Sequence, residues 1–130
     1  MFKTFGGQRH SFRRGRLMDK LRQITRKRKE AHAKLTKMDS KVYRAFLEME
    51  KAAYSDGALS KKSKELIAVG VSVTIDCESC MQWHIEQAVG SGATKEEILE
   101  AIEVGMEMGG GPAVVSSRFA LDVIEDVFKE

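Results

Sequence analysis

The chain has 130 residues and a mass of 14.5 kDa, enough for one domain with a true hydrophobic core and short for two. No run approaches the roughly 20 apolar residues that span a bilayer, and the N-terminus lacks the apolar centre of a secretory signal, so a cytoplasmic protein without a membrane partner is expected. The net charge of +3 is unevenly spread: residues 1–30 hold 11 Lys or Arg against Asp19 and Glu30, whereas the rest of the chain carries more acid than base.

Residues 1 to about 14, with Gly6-Gly7 among mixed polar residues, read as a flexible arm. From Leu17 to Leu35 the apolar positions Leu17, Leu21, Ile24, Ala31 and Leu35 recur at three- and four-residue steps, which predicts a largely exposed helix with a thin stripe in need of a partner. A phosphate-seeking arm is one reading of Arg13, Arg14, Arg16 and Arg26-Lys27-Arg28-Lys29. No aromatic residue interleaves with the basic run from Lys20 to Lys29 to stack on bases, so the better reading is a helix docked on the acidic surface of a neighbouring subunit, and nucleic acid is an unlikely partner. The chain divides into a basic arm and exposed helix, 1–38, and a helical domain, 39–130.

Asp39 or Ser40 can cap the next helix, where Val42, Phe46, Met49 and Ala53 form an apolar face that ends near Ser55-Asp56-Gly57. Ser60 can cap a helix running through Glu65 to Ile75. The β-branched stretch Val71–Ile75 would pass for a buried strand, but nothing else in the chain offers that strand a partner, and helix is expected. Another helix should run from about Asp76 to Gly90-Ser91-Gly92. Thr94-Lys95-Glu96-Glu97 is a capping box, and Ile98, Ala101, Ile102, Gly105 and Met106 follow at helical spacing, with Met106 and Met108 read as packing residues. Gly109-Gly110-Gly111 ends that helix, and Pro112 suits the first turn of a last one carrying Val115, Phe119, Val123, Ile124, Val127 and Phe128. The fold class is therefore all-α, with about six helices. The triple glycine lacks the Lys-Ser/Thr of a phosphate cradle, no nucleotide fingerprint appears elsewhere, and no cofactor is expected.

The chemistry concentrates at Cys77-Glu78-Ser79-Cys80-Met81-Gln82-Trp83-His84. In a helix, positions i, i+3 and i+7 share a face, so both sulfurs and the His84 imidazole point the same way. A thiol reacts as thiolate, and a helix N-terminus favours that anion. Cys80 has His84 one turn on as a proton acceptor and is the candidate nucleophile; Cys77, one turn back, is the candidate resolving thiol. Bridging so short a gap adds little stability, so a structural staple is a poor explanation of the pair. A thioredoxin-like site expects a βαβ surround, and a zinc site expects further ligands, whereas His10 and His32 lie far away in the basic region. Two Cys pairs meeting across a twofold axis around zinc or an iron-sulfur cluster remain compatible with the sequence. Met81 and Trp83 read as core or subunit packing.

Glu65, followed by Cys77-x-x-Cys80-x-x-x-His84-x-x-x-Ala88 and then Gly90-x-Gly92-Ala93-Thr94-x-Glu96-Glu97-Ile98-x-Glu100-Ala101, resembles the carboxymuconolactone decarboxylase superfamily and its alkylhydroperoxidase D-like branch over about residues 40–128. The resemblance implies an orthogonal all-helical bundle and obligate homo-oligomers, commonly trimers or hexamers, with the site near subunit contacts. It further implies a thiol-dependent peroxidase or disulfide reductase acting on a hydroperoxide or disulfide with an external thiol reductant. In it Cys80 attacks, Cys77 is the disulfide partner, and Glu65 and His84 relay protons. Taken by itself, Glu65 in Lys61-Lys62-Ser63-Lys64-Glu65 would read as a solvated carboxylate; as a base it needs burial beside the thiols. Lactone decarboxylation is the other chemistry of this fold, and it has no need of two adjacent thiols.

Overall fold

Hydroxyl side chains set three of the helix starts. Ser40 Oγ accepts from the Tyr43 amide at 3.1 Å and Ser60 Oγ from the Ser63 amide at 3.1 Å. Thr94 Oγ1 accepts from the Glu97 amide at 3.1 Å while Glu97 Oε2 accepts from the Thr94 amide at 3.0 Å, so the capping box is complete. A computed structural model describes residues 6–129, and among them the chain forms six α-helices and no strand: α1 Gly6–Lys37, α2 Lys41–Ala53, α3 Lys61–Thr74, α4 Glu78–Gly90, α5 Lys95–Gly109 and α6 Gly111–Val127. Ser40, not Asp39, caps α2; Asp39 takes a left-handed φ of 53°, which Asp tolerates, and pairs with Arg44. The Val71–Ile75 stretch is helical to Thr74, because Val69, Ser72 and Val73 bury one face of α3. Gly110, with φ 67° and ψ −150°, turns the chain from α5 into α6 in a conformation closed to other residues, and Pro112 sits in the first turn beyond it.

Helices α3 to α6 enclose the core. α3 packs on α4 and α5, and α6 closes against α4, α5 and α3. Val69, Val73, Met81, Ile85, Ile98, Ile102 and Val123 are wholly shielded from water, each contributing about 1.5–3 kcal/mol by burial. The α3–α5 contact is the tightest. A Cβ on Gly105 would lie 2.5 Å from the Gly70 carbonyl oxygen, and one on Gly70 2.9 Å from that of Ala101. Thr74 Oγ1 fastens the crossing by donating towards the carbonyls of Gly70 at 3.0 Å and Gly105 at 3.1 Å.

The N-terminal expectation needs correction. Residues 6–14 are the first turns of α1 rather than a flexible arm, while residues 1–5 lie outside the described part. Extending an existing helix costs far less than nucleating one, and Arg16 lies over the Phe12 ring one turn back at 4.7 Å. The thin stripe finds its partner within the same chain: Leu21 joins the core, and Leu17 and Ile24 pack against it. Gln82 Nε2 donates to Leu21 O at 3.2 Å and Thr25 Oγ1 at 3.0 Å, tying α1 to α4. α2 differs from the other helices. No residue in it is buried, and Val42, Phe46 and Met49 stand exposed on one face. It leans on α1, where His32 Nδ1 meets Tyr43 Oη at 2.7 Å. Two expected core residues also lie outside: Val115 is exposed because α6 turns Ala113, Ser116, Ser117 and Ala120 inward, and Met108 is 73% exposed on the outer side of α5.

Candidate active site

Two neighbouring helices supply the site. α4 begins at Cys77, which occupies the cap position: its Sγ accepts from the Cys80 amide at 3.2 Å. The sulfur thus sits where free backbone N–H groups and the helix dipole favour an anion. Cys77 and Cys80 form a disulfide with their Cα atoms 5.2 Å apart. One turn further along the same face comes His84, and across from it stands Glu65, 2% exposed on the second turn of α3. His84 Nδ1 lies 2.7 Å from Glu65 Oε2. A carboxylate can only accept, so the short contact puts a proton on Nδ1 and leaves Nε2 for other work. The His84 and Glu65 side chains are 14% and 3% exposed, which strengthens the bond by keeping water from competing for it.

All four residues singled out in the sequence thus lie on α3 and α4, as two pairs: Cys77 with Cys80 and Glu65 with His84. Among the described residues no hydrogen bond joins one pair to the other; the link between them is one turn of α4. The basic helix reaches the same place, because Lys20 Nζ lies 2.9 Å from Glu78 Oε2 in the first turn of α4. Both partners are nearly half exposed, so the ion pair orients more than it stabilises. Met81 is fully buried, and Trp83 is half-buried beneath the Arg28 guanidinium at 4.3 Å.

One neighbour of the site was not apparent in the sequence. Tyr54, the C-cap of α2, lays its ring on the His84 imidazole with centroids 5.2 Å apart and planes tilted by 31°. Burial, and then the negative charges of Glu65 and Glu50, push its phenol above the ordinary tyrosine range, so it stays protonated at neutral pH. Tyr54-Ser55-Asp56-Gly57 carries only the mark of a helix end, and nothing local announces a contact 30 residues away. Among the described residues no three His, Cys, Asp or Glu side chains group to hold a metal ion, and no helix is long and apolar enough to cross a membrane.

Fold and site together define a small all-helical protein with a cysteine pair at a helix cap and a buried Glu-His pair beside it. The sequence profile of the carboxymuconolactone decarboxylase family matches residues 40–123, and the chain belongs to that family. It is 42% identical over 83 residues to uncharacterized protein 4 in the cox locus of Paracoccus denitrificans, covering 64% of this chain and 75% of that one. The crystal structure of lpg0406, a carboxymuconolactone decarboxylase family protein from Legionella pneumophila, superposes with a TM-score of 0.78 at 37% identity, over 83% of this chain and 96% of the other. TM1620 from Thermotoga maritima, a family member described as a candidate for antioxidative response, superposes with a TM-score of 0.75 at 27% identity, over 82% and 91% of the two chains.

Proposed function

We propose that the protein is a thiol-dependent peroxidase or disulfide reductase that cycles Cys77 and Cys80 between dithiol and disulfide in the cytoplasm. The observation that carries this reading is the disulfide at the cap of α4 with His84 one turn on along that helix, itself bonded to the buried Glu65 of α3. In the reduced protein, His84 Nε2 takes the Cys80 proton and Glu65 steadies the resulting imidazolium. The thiolate attacks the O–O bond of a hydroperoxide; an alcohol leaves with a proton, and Cys80 becomes a sulfenic acid. Cys77 displaces its oxygen as water and closes the disulfide. An external dithiol then attacks Cys80, and Cys77 departs as thiolate into the cap position, where the Cys80 amide receives it; the second thiol of the reductant attacks its own sulfur in the mixed disulfide, leaves as a cyclic disulfide and releases Cys80 as thiol. A disulfide substrate enters the same cycle by exchange at Cys80.

The test is dihydrolipoamide- or dithiothreitol-driven reduction of cumene hydroperoxide and of a model disulfide, with mass spectrometry of the cysteine pair. Turnover with a Cys77–Cys80 disulfide formed by peroxide is expected; no turnover with either substrate would sink the proposal. Glu65→Gln keeps the shape of the buried side chain and removes its charge, and it should lower turnover about 100-fold. A rate within twofold of wild type would remove Glu65 from the relay.

The second part of the proposal is a homo-oligomer. A compact monomer of this mass exposes about 6,900 Å², whereas this chain exposes 9293 Å². The excess is of the size that stable interfaces bury. Two clusters stand out among the exposed apolar residues: the bare stripe of Val42, Phe46 and Met49 on α2, and a groove of about 580 Å³ between α3 and α5 walled by Ile67, Val71, Ile75, Val104 and Met108. A ridge and a groove on different parts of one chain would meet head to tail between copies, and such a contact gives a ring, as in a trimer or hexamer, where its rotation closes. Val71→Asp places a charge in the middle of the groove. Sedimentation should show the assembly reduced to smaller species with helical content retained; an unchanged assembly would place the interface elsewhere.

A further inference from the structure

We propose that Tyr54 is the positioning residue for His84: its ring fixes the plane of the imidazole so that the nitrogen not held by Glu65 stays directed to the thiol chemistry. The inference rests on the relay proposed above and names a member of it that belongs to a third helix.

The imidazole hangs from its Cβ, and the 2.7 Å bond from Nδ1 to Glu65 restrains its rotation from one edge only, so that bond leaves the face of the ring unsupported. How narrowly Nε2 is held then depends on what packs against that face as well as on the bond. A ring laid on the imidazole face removes the remaining freedom. Tyr54 packs there with centroids 5.2 Å apart and planes tilted by 31°, nearer parallel than perpendicular. The same arrangement serves the charged state. When His84 takes the thiol proton, the imidazolium lies over the negative face of an aromatic ring within the range of a cation–π attraction. The charged groups bearing on Tyr54 are Glu65 and Glu50, both acidic, and with burial they hold the phenol in its neutral form, so its ring remains an uncharged wall. The position of Tyr54 is anchored by its own backbone, whose N–H donates to Glu50 O at 3.1 Å at the end of α2.

The experiment follows the second-order rate of Cys80 alkylation by iodoacetamide in the reduced full-length Cys77→Ser protein, across pH. This reports thiol activation whatever the physiological substrate is, so it separates failure of this inference from failure of the peroxidase reading. Tyr54→Leu and Tyr54→Met remove the ring and should slow alkylation near neutral pH about tenfold, with the difference shrinking once the pH is high enough to ionise the thiol unaided. Tyr54→Phe keeps the ring and should recover most of the rate. In a His84→Gln background, Tyr54→Leu should have no further effect, since the ring acts through the imidazole. Thermal midpoints compared across the set show whether each variant is folded. A wild-type rate in both Tyr54→Leu and Tyr54→Met, a Tyr54→Phe as slow as Tyr54→Leu, or additive losses with His84→Gln would each overturn the proposal.

Discussion

Cys80→Ser is expected to abolish peroxide turnover, a loss of at least roughly 1,000-fold, because a serine hydroxyl cannot be oxidised to the intermediate on which the cycle depends. Comparison with Cys77→Ser assigns the roles. With Cys80 intact and its partner gone, the first half of the cycle survives: one equivalent of peroxide is consumed, and Cys80 stops at the sulfenic acid, which a carbon acid such as dimedone traps. With Cys77 intact and Cys80 gone, no rapid equivalent should be consumed and no adduct should appear on Cys77. The assignment follows from position. Cys77 caps the helix and Cys80 stands one turn in, nearer His84 along α4. A rapid burst and a trapped adduct in Cys80→Ser, with neither in Cys77→Ser, would reverse the roles.

The second large effect concerns folding. Gly105→Ala drives a methyl to 2.5 Å from the Gly70 carbonyl oxygen, at the closest approach of two core helices. Backbone cannot swing aside as a side chain can, so α3 and α5 must separate along their length and loosen Val69, Ile98 and Ile102 between them. Overpacking of this kind costs about 3 kcal/mol, against about 1 kcal/mol gained from alanine's better helix propensity. The net loss of about 2 kcal/mol should lower the thermal midpoint by roughly 5–10 °C. Gly15→Ala supplies the control. A Cβ there meets nothing within 4 Å, so α1 should gain propensity without penalty. Equal responses from the two variants would show that the glycine crossing is not what sets the α3–α5 distance.

The legible parts of the site were those carried by one helix. Cys77, Cys80 and His84 could be placed on a common face from spacing alone, since α4 supplies all three. Glu65 belongs to another helix and follows three lysines and a serine. Its surroundings in the sequence suggest solvent, and only the family resemblance marked it; burial came from the packing of α3 against α4. Tyr54 was not legible by either route, because its contact depends on where the end of α2 comes to rest. Helix boundaries were read well wherever a hydroxyl capped them, as at Ser60 and Thr94. The start of α1 was missed because its first residues are glycine and scattered cations with no apolar period, and their helicity is inherited from the turns that follow. Val115 departs from expectation because its spacing from Phe119 suits a shared face, while the inward side of the first turns of α6 is built from Ala113, Ser116 and Ser117, small enough for close approach, ahead of Phe119, Val123 and Ile124.

The place of Cys77 at the end of α4 has a consequence for the motion the cycle demands. The amide that meets its sulfur in the disulfide is the same amide that would hold the released thiolate, and the Cα atoms of the disulfide, 5.2 Å apart, already stand at the spacing of one helical turn. Opening and closing the bond then asks only for side-chain rotation, with the backbone of α4 left as it is. In the proposed cycle the scaffold could then be stiff, the reorganisation accompanying each two-electron step small, and the choice of reductant a matter of which dithiol reaches Cys80 rather than of how the protein moves.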